Sequence, residues 1–165
     1  MKDQQAPTIQ NVIIQTPQPS SKKVGIKYTD PKYAIKKGTV GAAAYDLLAR
    51  LDSPKTLLPG CRCLIPAGAF LELPEGYYAL VLPRSGNALK KGFTVLNSPG
   101  LIDSDYRGEL GVILINHSTD VVTIEDGDKV AQLLIQEGSQ VELVSVEDLS
   151  TTDRGSGGFG STDKK

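Results

Sequence analysis

Two carboxylates, Asp103 and Asp105, stand two residues apart in the stretch GLIDSDYRGE, residues 100–109. On an extended chain such neighbours share a face, and two like charges held together raise the proton affinity of one, leaving a base near neutrality. Asp105 reads most simply as a solvated turn residue. Asp103 follows the apolar pair Leu101-Ile102, which predicts a half-buried strand end where a carboxylate needs a partner or a task. A second stretch, PRSGNALKK at 83–91, sets Arg84, the Ser85 hydroxyl and the Gly86 backbone ahead of a short helical segment. Free N–H groups at such a start can hold a phosphate, although Ser-Gly there serves more often as a helix cap. Three further stretches carry single notable residues: Asp46 in AAAYDL (42–47), Gln132 in GDKVAQLLI (127–135), and Arg154 and Phe159 in RGSGGFGST (154–162). An amide inside an otherwise apolar strand needs hydrogen-bond partners, but each of the three has a structural reading when taken alone.

The elements that must position these residues are strands. Runs rich in β-branched and aromatic residues recur at 24–28, 62–65, 69–73, 77–82, 93–96, 110–116, 121–124, 130–136 and 141–144. Turn formers such as Pro59-Gly60, Pro74-Glu75-Gly76 and Asp126-Gly127-Asp128 separate them, a spacing that predicts an all-β sandwich or jelly roll. The one helical candidate is the turn and a half at 85–90. Residues 1–23, rich in Gln, Pro, Ser and Thr with one apolar patch at 12–14, predict a flexible extension, or alternatively an arm docking on another subunit or partner. The domain proper is expected at 24–149. The glycine-rich 150–165 cannot bury a core and is either a tail or a lid ordering on a ligand.

A chain of 165 residues fits one domain. The net charge of −1 gives no footprint for nucleic acid or a membrane surface, and the longest apolar run, 77–82, is far too short to span a bilayer. Cys61 and Cys63, one residue apart on an extended segment, point to opposite faces and do not pair; with a single His they cannot make a four-ligand zinc site. The opening residues MKDQQ lack the apolar core of a signal peptide. The expected location is therefore the cytoplasm, or a host-cell interior if the protein is viral. His117 reads as a surface turn residue.

Taken in order, the five stretches resemble the five motifs of the homotrimeric dUTP pyrophosphatases (dUTPases), over residues 24–162. The resemblance implies a β jelly roll with one short helix, a trimer sharing each active site among subunits, a C-terminal arm as lid, and hydrolysis of dUTP to dUMP and pyrophosphate with Mg²⁺. It assigns Asp103 as the base that activates water and Gln132 and Asp46 to the catalytic centre, Asp46 touching magnesium only through water while substrate phosphates hold the ion. Arg84, Ser85 and Gly86 would bind phosphate. Asn97, with the backbone of Leu101 and Ile102, would read uracil, Gly100 and Gly111 would also contact the substrate, and Tyr106 would lie against the deoxyribose and leave no room for a 2′-hydroxyl. Arg154 would reach the γ-phosphate, Phe159 would stack on the base, and Ser156, Gly160 and Ser161 would close over the phosphates. Departures are few: Ala44 stands where a glycine is usual, Asn87 where a leucine is, and Asp163-Lys164-Lys165 extend the tail.

Two rivals stay open at this stage. A dCTP deaminase shares the implied fold and would use a glutamate, a role Glu109 could take, alone or in a bifunctional enzyme. A non-catalytic jelly-roll trimer acting as a binding or regulatory protein would explain the N-terminal extension but needs none of Asp103, Arg84, Gln132 and Arg154.

Overall fold

The computed structural model describes residues 22–139 and 141–159; nearly all of the expected N-terminal extension, and Gly160 and Ser161 of the expected lid, lie outside them. Within these bounds the chain is all-β. The first strands are β1 (Gly25–Tyr28), β2 (Tyr45–Leu48), β3 (Lys55–Leu57), β4 (Arg62–Pro66), β5 (Ala69–Glu72) and β6 (Tyr77–Leu82). There follow β7 (Phe93–Val95), β8 (Gly100–Ile102), β9 (Gly111–Asn116), β10 (Val122–Ile124) and β11 (Lys129–Glu137). A turn of 3₁₀ helix at Pro31–Tyr33 and a wide helical turn at Asn87–Lys91 complete the elements. No helix among the described residues is long and apolar enough to cross a membrane.

Strand order follows from alternation. β9 alternates strictly between half-buried and buried positions, so Val112, Leu114 and Asn116 face inward. It is the centre of the sheet β4-β9-β7, while β2-β11-β6-β8 forms a second sheet and β1-β5 and β10-β3 form two-stranded ribbons. Inward side chains of all of them, including Leu47, Leu57, Ile65, Phe93, Ile124 and Leu133, make one core. Asn116 is the one buried polar residue of the described chain. Its amide donates to Leu57 O and Asp120 O at 2.9 and 2.7 Å and its oxygen accepts from Ser118, so the burial leaves nothing unpaired.

Eight of the nine expected strands form. The exception is 141–144, which lies outside every sheet of the described residues with Leu143 94 % exposed; an extended segment becomes a strand only where an edge supplies its backbone partners, and no described strand pairs with this one. Three short strands escape the sequence reading: β2, β3 and β8, each defined by pairing with a longer neighbour. The helical candidate forms where expected.

Candidate active site

Three adjacent strands bring three of the notable stretches together. In the pairing of β2 with β11, Asp46 stands opposite Gln132, and Gln132 stands opposite Leu82 at the end of β6. Beyond Leu82 the chain turns through Pro83 into Arg84, Ser85 and Gly86. These residues with Asp46, Lys129 and Gln132 line one cleft of about 510 Å³, walled on one side by 42–44. Asp46, 15 % exposed, accepts from Arg84 Nη1 and, at 2.7 Å, pairs with Lys129 Nζ. The Gln132 amide donates to Pro83 O at 2.9 Å, which gives the amide that looked anomalous inside an apolar strand a partner and ties β11 to the loop after β6.

Lys129 is a residue the sequence reading missed. Three positions from Gln132, it belongs on the opposite face of a regular strand, but the register of β11 shifts between Lys129 and Ala131. The bulge leaves two successive residues, Val130 and Ala131, buried and returns Lys129 to the cleft side. The only signal in the sequence was that broken alternation. The helical turn starts at Gly86 with no side-chain cap bond, so Ser85, exposed and lining the cleft, does not spend its hydroxyl as a cap. Asn87 donates to Lys129 O at 2.8 Å, fastening this turn to β11 with a hydrogen bond where leucine would offer only contact.

The hairpin carrying Asp103 is set apart. β8 pairs with β6 so that Gly100 faces Val81, Leu101 faces Leu80 and Ile102 faces Ala79. The next position, Asp103, lies just past β8 and beside Tyr78 near one end of β6, whereas Arg84 lies two residues past the other end of that strand. Tyr78 to Leu82 are four strand steps, roughly 14 Å at about 3.4 Å per residue, so β6 keeps the two residues at opposite ends of one chain. Asp103 and Asp105 are both exposed and border an open hollow of about 790 Å³ with Tyr77, Tyr78 and Glu137. The half-buried setting expected for Asp103 is thus not realised within a single copy: its strand ends one residue earlier and the chain enters a turn, with Tyr106 N donating to Asp103 O at 3.2 Å. Asn97 sits on Gly100, where an added Cβ would lie 3.2 Å from its amide nitrogen, so residues 97 and 100–102, which the resemblance assigns to the base, do cluster. Gly111 does not join them. It lies in β9 opposite Pro66, beneath Leu64, whose methyl group would be 2.8 Å from an added Cβ; there the missing side chain serves packing. Tyr106 is 43 % exposed and its hydroxyl donates to Glu109 O at 3.0 Å.

Glu109 itself is taken. Arg50 grips its carboxylate with two bonds, 2.8 and 2.9 Å, and Gly68 N donates a third at 2.8 Å; the guanidinium, then the backbone N–H, hold its carboxyl below the usual carboxylate range despite partial burial. Farther along the chain, the described part of the arm bonds only to itself: Arg154 Nε to Gly157 O at 2.9 Å and Gly155 N to Thr152 O at 3.0 Å. Phe159 is fully exposed, so Arg154, Ser156 and Phe159 are not joined to the cleft of their own chain. No group of three or more His, Cys, Asp or Glu side chains able to hold a metal exists among the described residues. The cleft offers a cation one carboxylate, Asp46, a donor set suited to an ion that keeps most of its water or takes oxygens from a bound anion.

The dUTPase family model matches residues 30–163. The chain is 52 % identical over 134 residues to the deoxyuridine 5′-triphosphate nucleotidohydrolase of Caulobacter vibrioides, which spans 80 % of this chain and 84 % of that one. Among solved structures it is similar to a variant of the Staphylococcus bacteriophage 80alpha dUTPase with dUpNHpp, at a TM-score of 0.77 and 24 % identity over 86 % of this chain and 99 % of that one. It is also similar to a variant dUTPase of Staphylococcus aureus phage phi11, described with a structural Mg(II) ion, at a TM-score of 0.69 and 23 % identity over 77 % and 98 %. The jelly roll expected from the sequence is the fold of this chain.

Proposed function

The chain belongs to the dUTPase family, and we propose from that premise that it hydrolyses dUTP to dUMP and pyrophosphate with Asp103 as the base. The water oxygen bonds to the α-phosphorus, the bond from that phosphorus to the α,β-bridging oxygen breaks, pyrophosphate leaves, and the water's proton passes to Asp103. The reaction removes dUTP from the DNA precursor pool and supplies dUMP for thymidylate synthesis, in the cytoplasm or a host-cell interior.

The observation that carries this reading is the convergence of Asp46, Arg84, Ser85, Gly86 and Gln132 on one cleft, with Lys129 added. In-line displacement at phosphorus asks a protein chiefly for positioning and charge neutralisation, and the cleft is built for a polyanion. Arg84 and Lys129 exchange Asp46 for phosphate oxygens. When bound, Mg²⁺ neutralises charge on the phosphates, and Asp46 would hold it through water. Uracil is read by Asn97 and the backbone of Gly100, Leu101 and Ile102, the deoxyribose by Tyr106. Arg154, Ser156 and Phe159 close the site, together with Gly160 and Ser161, which lie outside the described residues. The placement of Asp103 and Arg84 at opposite ends of β6, bordering separate hollows, favours a site completed by another copy, hence a homotrimer with shared sites. Residues 1–23 are left for a contact with another subunit or partner.

The deaminase alternative would need Glu109 free to handle a proton, and its two bonds from Arg50 leave it engaged. A purely binding trimer has no use for Asp103, Arg84, Gln132 and Arg154 together. Asp103→Asn tests the reading: turnover falls about 10²–10⁴-fold while an α,β-imido analogue of dUTP binds within a few-fold of the wild type. Retained turnover would overturn the base assignment.

A further inference from the structure

We propose that Arg50, Gly108 and Glu109 act as a brace that fixes Tyr106, and so set how strongly this enzyme rejects ribonucleotides. The inference rests on the reading of Tyr106 against the sugar and adds residues to which that reading gives no task.

The loop 103–109 has two moorings. One is β8, paired to β6 up to Ile102, immediately before Asp103. The other is Glu109. Its carboxylate takes Arg50 Nε and Nη2 and the N–H of Gly68, and the neighbouring Leu110 is fully buried, its N–H donating to Ala69 O and its carbonyl accepting from Ala67 N, both at 2.8 Å. Arg50 is anchored in turn, its N–H donating to Pro66 O at 2.8 Å. A two-pronged guanidinium–carboxylate contact fixes direction as well as distance, so the carbonyl of Glu109 has a defined position. That carbonyl is the acceptor for the Tyr106 hydroxyl at 3.0 Å.

Gly108 completes the seat. A Cβ added there would lie 2.3 Å from the Tyr106 hydroxyl oxygen, 2.5 Å from Cζ and 2.9 Å from Cε2. The phenol ring therefore occupies the space a side chain would fill. Gly108 does not have a positive φ, so its backbone conformation is open to other residues, and an alanine here acts by pushing the ring rather than by straining the chain. Rejection of a 2′-hydroxyl by contact depends on where the ring stands to within an atom's width, since a site that merely loosens admits the extra oxygen. Asp103, next to the β8 mooring, is affected far less than Tyr106, three residues from the Glu109 mooring. The brace is thus a positioning device for specificity, and its loss acts on sugar choice before it acts on the chemical step.

The experiment measures kcat and KM for dUTP and for UTP on the full-length protein with magnesium, in Gly108→Ala, Arg50→Ala, Arg50→Lys and, as the reference, Tyr106→Ala. The expected result is a fall of about tenfold or more in the ratio of the two kcat/KM values in Gly108→Ala and Arg50→Ala, with kcat for dUTP within about threefold of wild type. Arg50→Lys, which keeps the charge but loses the fork, falls between. A brace that only supports the fold would lower the melting temperature and leave the ratio alone. Should Arg50→Ala fail to fold, Gly108→Ala carries the test. If Tyr106→Ala collapses the ratio and Gly108→Ala and Arg50→Ala do not, the brace is refuted and the sugar reading stands. If Tyr106→Ala leaves the ratio unchanged, the sugar reading fails and the brace falls with it.

Discussion

Replacing Asp46 by Asn should tighten magnesium-free binding of a triphosphate, a gain of function from the loss of a site residue. Without ligand, Asp46 holds both Arg84 and Lys129, so an incoming phosphate must compete with a carboxylate for the cations that would bind it. The Arg84–Asp46 side chains are 29 % and 15 % exposed, between the surface case, where a pair contributes about 0–1 kcal/mol, and the buried case, where breaking one costs about 3–5 kcal/mol. About 1–2 kcal/mol is a fair figure, which at 1.4 kcal/mol per tenfold is roughly a 5- to 30-fold change in affinity. Removing the negative charge adds in the same direction: at about 8 Å in water each phosphate charge gains roughly 0.5 kcal/mol. Calorimetric titration of the α,β-imido analogue of dUTP in a chelator should therefore give the lower Kd for Asp46→Asn. With magnesium the advantage should shrink or reverse, because the carboxylate that would hold the ion through water is gone, and turnover of dUTP should fall. Equal or weaker magnesium-free binding by the variant would refute the exchange of Asp46 for phosphate.

Truncation after Ser150 should lower turnover by about a hundredfold or more, as removal of a closing arm does, while the melting temperature stays put, since the described hydrogen bonds of 151–159 are internal to the arm; a truncated chain as active as the whole would deny the arm a role. Acid should destabilise the fold through two carboxylates. Glu109 is lowered by Arg50 first and by the Gly68 N–H. Asp126 is lowered by the Leu51 N–H first, then by Lys32 and Tyr33. Groups depressed in the folded state contribute fully above the ordinary carboxylate value of about 4 and lose that contribution as pH falls through their lower folded values. Melting temperatures should therefore drop below about pH 4, less steeply in Asp126→Asn; a flat profile from pH 6 to 3 would contradict it.

Much of the strand layout was legible in the sequence because short runs rich in β-branched and aromatic residues are set off by Pro and Gly turns, but which side faces inward was not: 111–116 is apolar nearly throughout, and it buries Asn116 while leaving Ile113 and Ile115 half-buried. The five chemical stretches were legible because their residue types are unusual where they stand, as Gln132 is among apolar neighbours. What stayed hidden was fixed by geometry between distant segments. β8 exists because β6 pairs with it, and Lys129 enters the cleft because of a bulge whose only trace is the pair Val130-Ala131. Glu109 looked like a candidate proton carrier until Arg50, fifty-nine residues away, was seen to hold it. The apolar 141–144 reads as a strand by composition, and no described strand pairs with it.

In the proposed enzyme, Asp103 of one copy works on a nucleotide whose phosphates sit between Asp46, Arg84 and Gln132 of another. Asp103→Asn and Arg84→Ala, each inactive alone, should be unfolded, mixed in equal amounts and refolded together. If the two residues of a working site come from different chains, random assembly restores one intact site in about four, and the mixture should recover roughly a quarter of wild-type turnover, while the double variant recovers none. A mixture as inactive as its parents, in trimers verified to contain both chains, would refute a site shared between copies.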